Sequence, residues 1–163
     1  MKVFATATLG ATCLATTLLV PLGSVWAQSE GETGAERLVF THVLDDETLD
    51  VYTPREGEEF TEAVEQFHVT GENPYSGDEE AIAEGQDIFS GTCRACHGRE
   101  GSGGMGPPLN DNEYRRDRAA TDKGKFEIIY GGSAGAMQGF AKRLDQDDIL
   151  RVMAYIETLE QAD

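Results

Sequence analysis

Apolar residues recur at helical spacing in two stretches of this chain, and the rest of the fold follows from what lies between them. In the first, Ile82, Gln86 and Phe89 fall on one face with Gly85, behind Asp78 as N-cap and Glu79 and Glu80 at the positive end of the helix. In the second, a terminal helix from about Asp145 carries the apolar stripe Ile149, Val152, Met153, Ile156 and Leu159. A medium helix is predicted over Asp122–Tyr130, and a short one over Thr61–Val69 with Ala63, Val64 and Phe67 on one side. Between these lie two glycine-rich loops: Gly98–Gly106, closed by Pro107-Pro108-Leu109, and Gly131–Gly139, which holds Met137. The pattern is all-α.

Residues 28–77 are polar and acidic with few regular periods. Leu38-Val39-Phe40 and Thr48–Tyr52 read as short strands or extended arms. The stretch reads as an extension wrapping a helical domain at 78–163, not as a separate domain. There is no internal repeat.

The first 27 residues carry an export pattern: Lys2, a charge-free stretch from Val3 to Val20, then Pro21 and Gly23, and Val25-Trp26-Ala27 as cleavage site. A retained anchor is the alternative, since the stretch approaches the length of a short span, but its Thr, Ala and Gly residues lower its hydrophobicity. Cys13 lies inside the leader, in Gly10-Ala11-Thr12-Cys13, without the apolar residue that precedes a lipoprotein cysteine. The expectation is a soluble chain starting at Gln28 in a bacterial periplasm, with no stable membrane insertion.

Removing 27 of 163 residues leaves 136, enough for one domain with one core. Loss of Lys2 takes the formal charge from −17 to −18. Such acidity argues against nucleic acid and anionic membrane surfaces as partners. It fits either solubility in brine or docking to basic partners, and the residues favour neither.

The chemistry lies in Cys93-Arg94-Ala95-Cys96-His97. In an exported chain, two thiols two residues apart with His directly after them read as a c-type haem attachment site. On one helical turn both cysteines reach vinyl groups of one porphyrin, and the adjacent imidazole becomes the proximal iron ligand. A thioredoxin-like pair needs no following His and belongs near a βαβ pattern, which is missing. A zinc site needs further ligands; Cys93 and Cys96 are the only cysteines beyond the leader, and His42 and His68 lack ligand spacing. The cofactor expected is one covalent haem c.

For the sixth ligand the candidates are Met105, Met137 and Met153. Met105 is only eight residues past His97, too near to reach the opposite face easily, and Met153 belongs to the apolar stripe. Met137, forty residues past His97 in a flexible loop, is the ligand expected. His/Met ligation raises the reduction potential. No Ser/His/Asp or paired-carboxylate constellation suggests substrate chemistry, so the chain reads as an electron carrier and not an enzyme.

The order of helix, CxxCH, Gly-Pro loop, helix, Met loop and terminal helix resembles class I cytochrome c over about Asp78–Leu159. The resemblance implies that fold, all-α around one haem, and a crossing of first and last helices at Gly85, Phe89 and Tyr155. It also implies that the Pro107 carbonyl, in Gly106-Pro107-Pro108-Leu109, accepts a hydrogen bond from the proximal imidazole.

Further stretches resemble the cytochrome c-L type. They are Asn73-Pro74-Tyr75, Glu79-Glu80-Ala81-Ile82-Ala83-Glu84-Gly85, Gly106-Pro107-Pro108-Leu109-Asn110-Asp111-Asn112, Thr121-Asp122-Lys123-Gly124 with Phe126-Glu127, and Ile129-Tyr130-Gly131-Gly132 leading to Gly135-Ala136-Met137. This resemblance implies a periplasmic monohaem carrier, a monomer, that accepts electrons from a pyrroloquinoline-quinone (PQQ) methanol or alcohol dehydrogenase. It would pass them to a downstream cytochrome c or oxidase. The chain departs from the type where Glu113-Tyr114-Arg115-Arg116-Asp117-Arg118 replaces an aromatic patch, and where Gln138-Gly139 replaces the Gly-Pro after the methionine. The arginine cluster reads as a solvated loop or as a docking patch. The competing functions are a general periplasmic class I carrier and a haem enzyme or sensor with an open sixth position.

Overall fold

The computed structural model describes residues 37–111 and 113–160. The expected leader with Lys2 and Cys13, the cleavage point before Gln28, and Asn112 lie outside the described residues. Five α-helices follow one another: α1 Glu62–Thr70, α2 Glu79–Thr92, α3 Arg94–His97, α4 Asp122–Gly131 and α5 Gln146–Glu160, with a 3-10 turn at Asp117–Ala120 before α4. No strand forms among the described residues. The extended segment before α1 contributes only an isolated antiparallel bridge, Thr41 to Thr48.

Local chemistry sets three of the helix starts. Asp78 accepts from the Ala81 amide at 2.8 Å, Thr61 from Val64 at 3.3 Å and Thr121 from Gly124 at 3.1 Å; each satisfies a donor that the first helical turn leaves unpaired. α1 stops at Gly71, whose φ of 72° is left-handed and whose amide returns to the Phe67 carbonyl. It starts and ends one residue later than the sequence pattern predicts.

The main packing is α2 against α5, with α4 and α1 also on α5. Gly85 permits the α2–α5 crossing: a methyl there would lie 2.1 Å from the Arg151 carbonyl oxygen. Phe89 and Tyr155 meet beside it, ring centroids 5.3 Å apart. Phe40, Phe67, Phe89 and Phe126 are all fully buried, and each such burial stabilises by about 1.5–3 kcal/mol.

The segment before α2 shares this core. Phe40, Val51, Val64 and Phe67 all belong to it, and Phe40 packs on both Phe67 and Phe126, each at 5.6 Å. Buried polar bonds hold it there. Asn73 Nδ2 donates to the Leu150 carbonyl at 2.8 Å, and Gln146 Nε2 donates to the Val51 carbonyl at 2.9 Å. Thr61 and Tyr75 hydroxyls both donate to Asp147, at 2.6 and 2.7 Å. No helix among the described residues is long and apolar enough to cross a membrane.

Candidate functional site

α2 runs almost without a break into the Cys93–His97 stretch. The Cys93 amide donates to the Phe89 carbonyl at 2.9 Å and the His97 amide to the Cys93 carbonyl at 3.0 Å. Cys93, Cys96 and His97 therefore sit on a single turn, α3, that ends at Gly98. The thiols are not joined to each other. Burial, with a smaller contribution from Cys96, pushes the Cys93 thiol up to about 11. Among the described residues no three His, Cys, Asp or Glu side chains cluster to hold a metal ion.

The loop after α3 folds back over the histidine. Gly103 donates to the His97 carbonyl at 2.7 Å, Gly106 to the Cys96 carbonyl at 2.9 Å and Leu109 to the Gly101 carbonyl at 2.6 Å. This return brings the Pro107 carbonyl oxygen to 2.9 Å from His97 Nδ1. Only Nδ1–H can donate to that acceptor, so Nε2 is left with its lone pair. Gly106 lies flat against the ring: a methyl there would stand 2.8 Å from Cε1 and 2.9 Å from Nδ1. His97 itself is buried, at 8% exposure.

Met137 lies in a loop closed by its own backbone. Ser133 donates to the Met137 carbonyl at 2.9 Å, and Gly132 bridges to Gln138. Phe140 and Ala141 donate to the Ile129 and Tyr130 carbonyls at 2.9 and 3.2 Å. Gly139 allows this closure, since a methyl there would meet the Tyr130 and Gly131 carbonyl oxygens at 2.6 and 2.7 Å. Met137 and Cys93 both pack, half-buried, on the main core cluster. Met105 points into solvent at 77% exposure and Met153 is core at 2%.

Comparison with known proteins gives the family. Residues 80–156 match the family model described as cytochrome C oxidase, cbb3-type, subunit III. Cytochrome c-L of Methylorubrum extorquens is 38% identical over 132 residues, 81% of this chain and 66% of that protein. The chain thus spans about two thirds of that relative. Cytochrome cL from the marine methylotrophic bacterium Methylophaga aminisulfidivorans superposes with a TM-score of 0.73 at 41% identity, covering 76% of this chain and 82% of that one. Cytochrome cL from Hyphomicrobium denitrificans gives 0.72 at 36% identity, covering 78% and 79%. The chain belongs to the cytochrome c-L family. Its fold is the class I cytochrome c fold, and its cofactor is covalently bound haem c.

The residues present suit that group. Covalent haem c takes two thiols held close together and an imidazole nitrogen left for iron, and this chain offers both in Cys93, Cys96 and His97. Two arginines of the cluster, Arg116 and Arg118, are half-buried and bonded within the chain. Arg118 Nη1 reaches Glu127 Oε2 at 3.1 Å and Thr41 Oγ1 at 2.9 Å, and its Nη2 reaches Asp46 at 2.7 Å. Arg116 leans on the Val43 carbonyl at 3.5 Å. These arginines pin the segment before α1 to α4, while Arg115 is exposed. Neither this role nor that of Gly106 is visible in sequence: the partners are distant in the chain, and a glycine among many in the loop carries no distinguishing signal.

Proposed function

We propose that this cytochrome c-L family member is a periplasmic monohaem electron carrier, not an enzyme. It accepts electrons from a PQQ-dependent methanol or alcohol dehydrogenase and delivers them to a downstream cytochrome c or oxidase. The observation that carries the reading is the His97–Pro107 contact over Gly106, which holds an imidazole with Nε2 unused in the segment that also bears two free thiols.

In this reading Cys93 and Cys96 would hold the haem through thioethers, and His97 Nε2 and the Met137 thioether would ligate its iron. When bound, the haem supplies a one-electron couple. The Pro107 carbonyl fixes the His97 tautomer and ring orientation and increases the basicity of Nε2. Gly106 keeps that ring in place. The closed 132–139 loop holds the Met137 backbone so that its side chain need not be ordered when the iron is ligated. Ligation by one imidazole and one thioether would favour a high potential, suited to receiving electrons from a reduced quinone. The acidic surface steers encounter with cationic partners and is screened within about 8 Å at physiological salt.

Absorption and magnetic circular dichroism of the oxidised holoprotein test this. Low-spin haem with a methionine-to-iron charge-transfer band, lost in Met137→Ala, is the result expected. High-spin haem in the wild type, or a band that survives Met137→Ala, overturns the ligand set.

A further inference from the structure

His42 lies outside the helical domain, on the turn of the segment before α1, yet its ring reaches the end of α4. Its backbone is fixed by two bonds within the turn: the His42 amide to the Glu47 carbonyl at 2.7 Å, and the Asp46 amide to the His42 carbonyl at 2.9 Å. From there Nδ1 lies 3.1 Å from Asp45 Oδ1 and Nε2 lies 3.2 Å from the Gly131 carbonyl oxygen. Both neighbours are acceptors only. A neutral imidazole has one N–H and can satisfy one of them; the imidazolium has two and satisfies both.

The Gly131 carbonyl is one of the groups that the end of a helix leaves unpaired, where a cation is also favoured by the helix dipole. Gly131 is built for this approach: a methyl there would stand 2.9 Å from His42 Cδ2 and 3.2 Å from Leu49 Cδ2. Tyr130 is tied to the same segment, its hydroxyl donating to the Asp50 carbonyl at 2.7 Å. Ile129 and Tyr130, which precede Gly131 in α4, form the closing edge of the Met137 loop, receiving the amides of Phe140 and Ala141, and Gly132, which follows it, bridges to Gln138. One strand of contacts thus runs from His42 through Gly131 to the loop that presents Met137.

We propose that His42 is a positioning residue for the Met137 loop and works as a pH-dependent clamp. As the imidazolium it bridges Asp45 and Gly131 together; on releasing a proton to solvent it keeps only one bond. The proposal rests on the reading of Met137 as axial ligand. Other charged groups around the turn are engaged elsewhere. Asp46 and Arg118 pair at 2.7 Å, Glu127 takes Arg118, Lys123 and the Thr41 amide, and Arg116 contacts the Val43 carbonyl. Glu47 meets the ring's own turn only through its backbone in these contacts.

The test is amide hydrogen exchange on the holoprotein between about pH 5 and 8, the range in which imidazoles change charge, corrected for intrinsic exchange. In the wild type the Phe140 and Ala141 amides open roughly two- to tenfold more often at the upper end, the effect of losing one hydrogen bond. Amides of α2 and α5 show no such step. His42→Gln keeps one donor at every pH and removes the step; His42→Ala opens the loop at every pH and also removes it. The methionine-to-iron band should weaken with the same midpoint in the wild type and lose that dependence in His42→Gln. A step that persists in His42→Gln, or no step in the wild type, overturns the clamp. A band that survives Met137→Ala overturns the ligand reading instead, whatever the exchange shows.

Discussion

A methyl group on Gly85 of α2 would sit 2.1 Å from the carbonyl oxygen of Arg151 on α5, and it would meet backbone, which cannot turn aside as a side chain can. The crossing on which the domain is built therefore depends on a missing side chain. Gly85→Ala forces α2 and α5 apart and loosens the Phe89–Tyr155 contact. Overpacking of this kind costs about 1–3 kcal/mol. Thermal unfolding of the holoprotein should show a Tm lowered by several degrees; an unchanged Tm would mean that the helices do not cross at this point.

Gly106→Ala acts on the site itself. The added methyl would press on His97 at Cε1 and Nδ1, turning the ring away from the Pro107 carbonyl. A less basic imidazole stabilises the oxidised iron less, so the reduction potential should move upward. Spectroelectrochemistry reads this directly. A potential equal to that of the wild type would show that the ring does not depend on the loop.

Glu127 is buried at 1% exposure and shared by Arg118, Lys123 and the Thr41 amide. Removing one cation leaves the carboxylate only partly compensated. Arg118→Ala should destabilise by about 1–3 kcal/mol and free the 41–48 turn, seen as faster exchange of the Leu49 amide, which donates to Phe40. Arg118→Ala with wild-type stability would make the cluster a surface feature after all.

His68 gives the pH dependence of stability. It is buried at 4% exposure among Phe40, Tyr52 and Phe60, with Nε2 2.8 Å from Gln146 Oε1. Burial pushes its pKa below the usual imidazole value of 6.5, against a smaller upward pull from Gln146. The folded state holds the neutral ring, so its stabilising effect is complete above about pH 6.5 and is lost as pH falls below that value toward the folded pKa. The Tm should fall between about pH 7 and pH 5, and His68→Gln should flatten that fall.

Much of the helical frame is legible in sequence because its signals are local. Asp78 caps α2 and the stripe from Ile149 to Ile156 faces the core, both read from neighbours within a few positions. The single turn that gathers Cys93, Cys96 and His97 is legible for the same reason. The segment before α1 is not, because its residues are satisfied by partners far along the chain: His42 by Gly131, Thr41 by Arg118 and Glu127, Asn73 by Asp122 and Leu150. Phe67 announces an apolar face for α1, but His68 beside it is equally buried, and no helical pattern predicts a histidine there. Arg118 reads as a loop charge until its two carboxylate partners are seen.

The most direct test of the account is stopped-flow mixing of oxidised holoprotein with the reduced PQQ methanol dehydrogenase of the same organism, following the reduced haem band. The account predicts rapid one-electron reduction whose rate falls as salt is raised, as steering by an acidic surface requires. Failure to be reduced at low and moderate salt would contradict it.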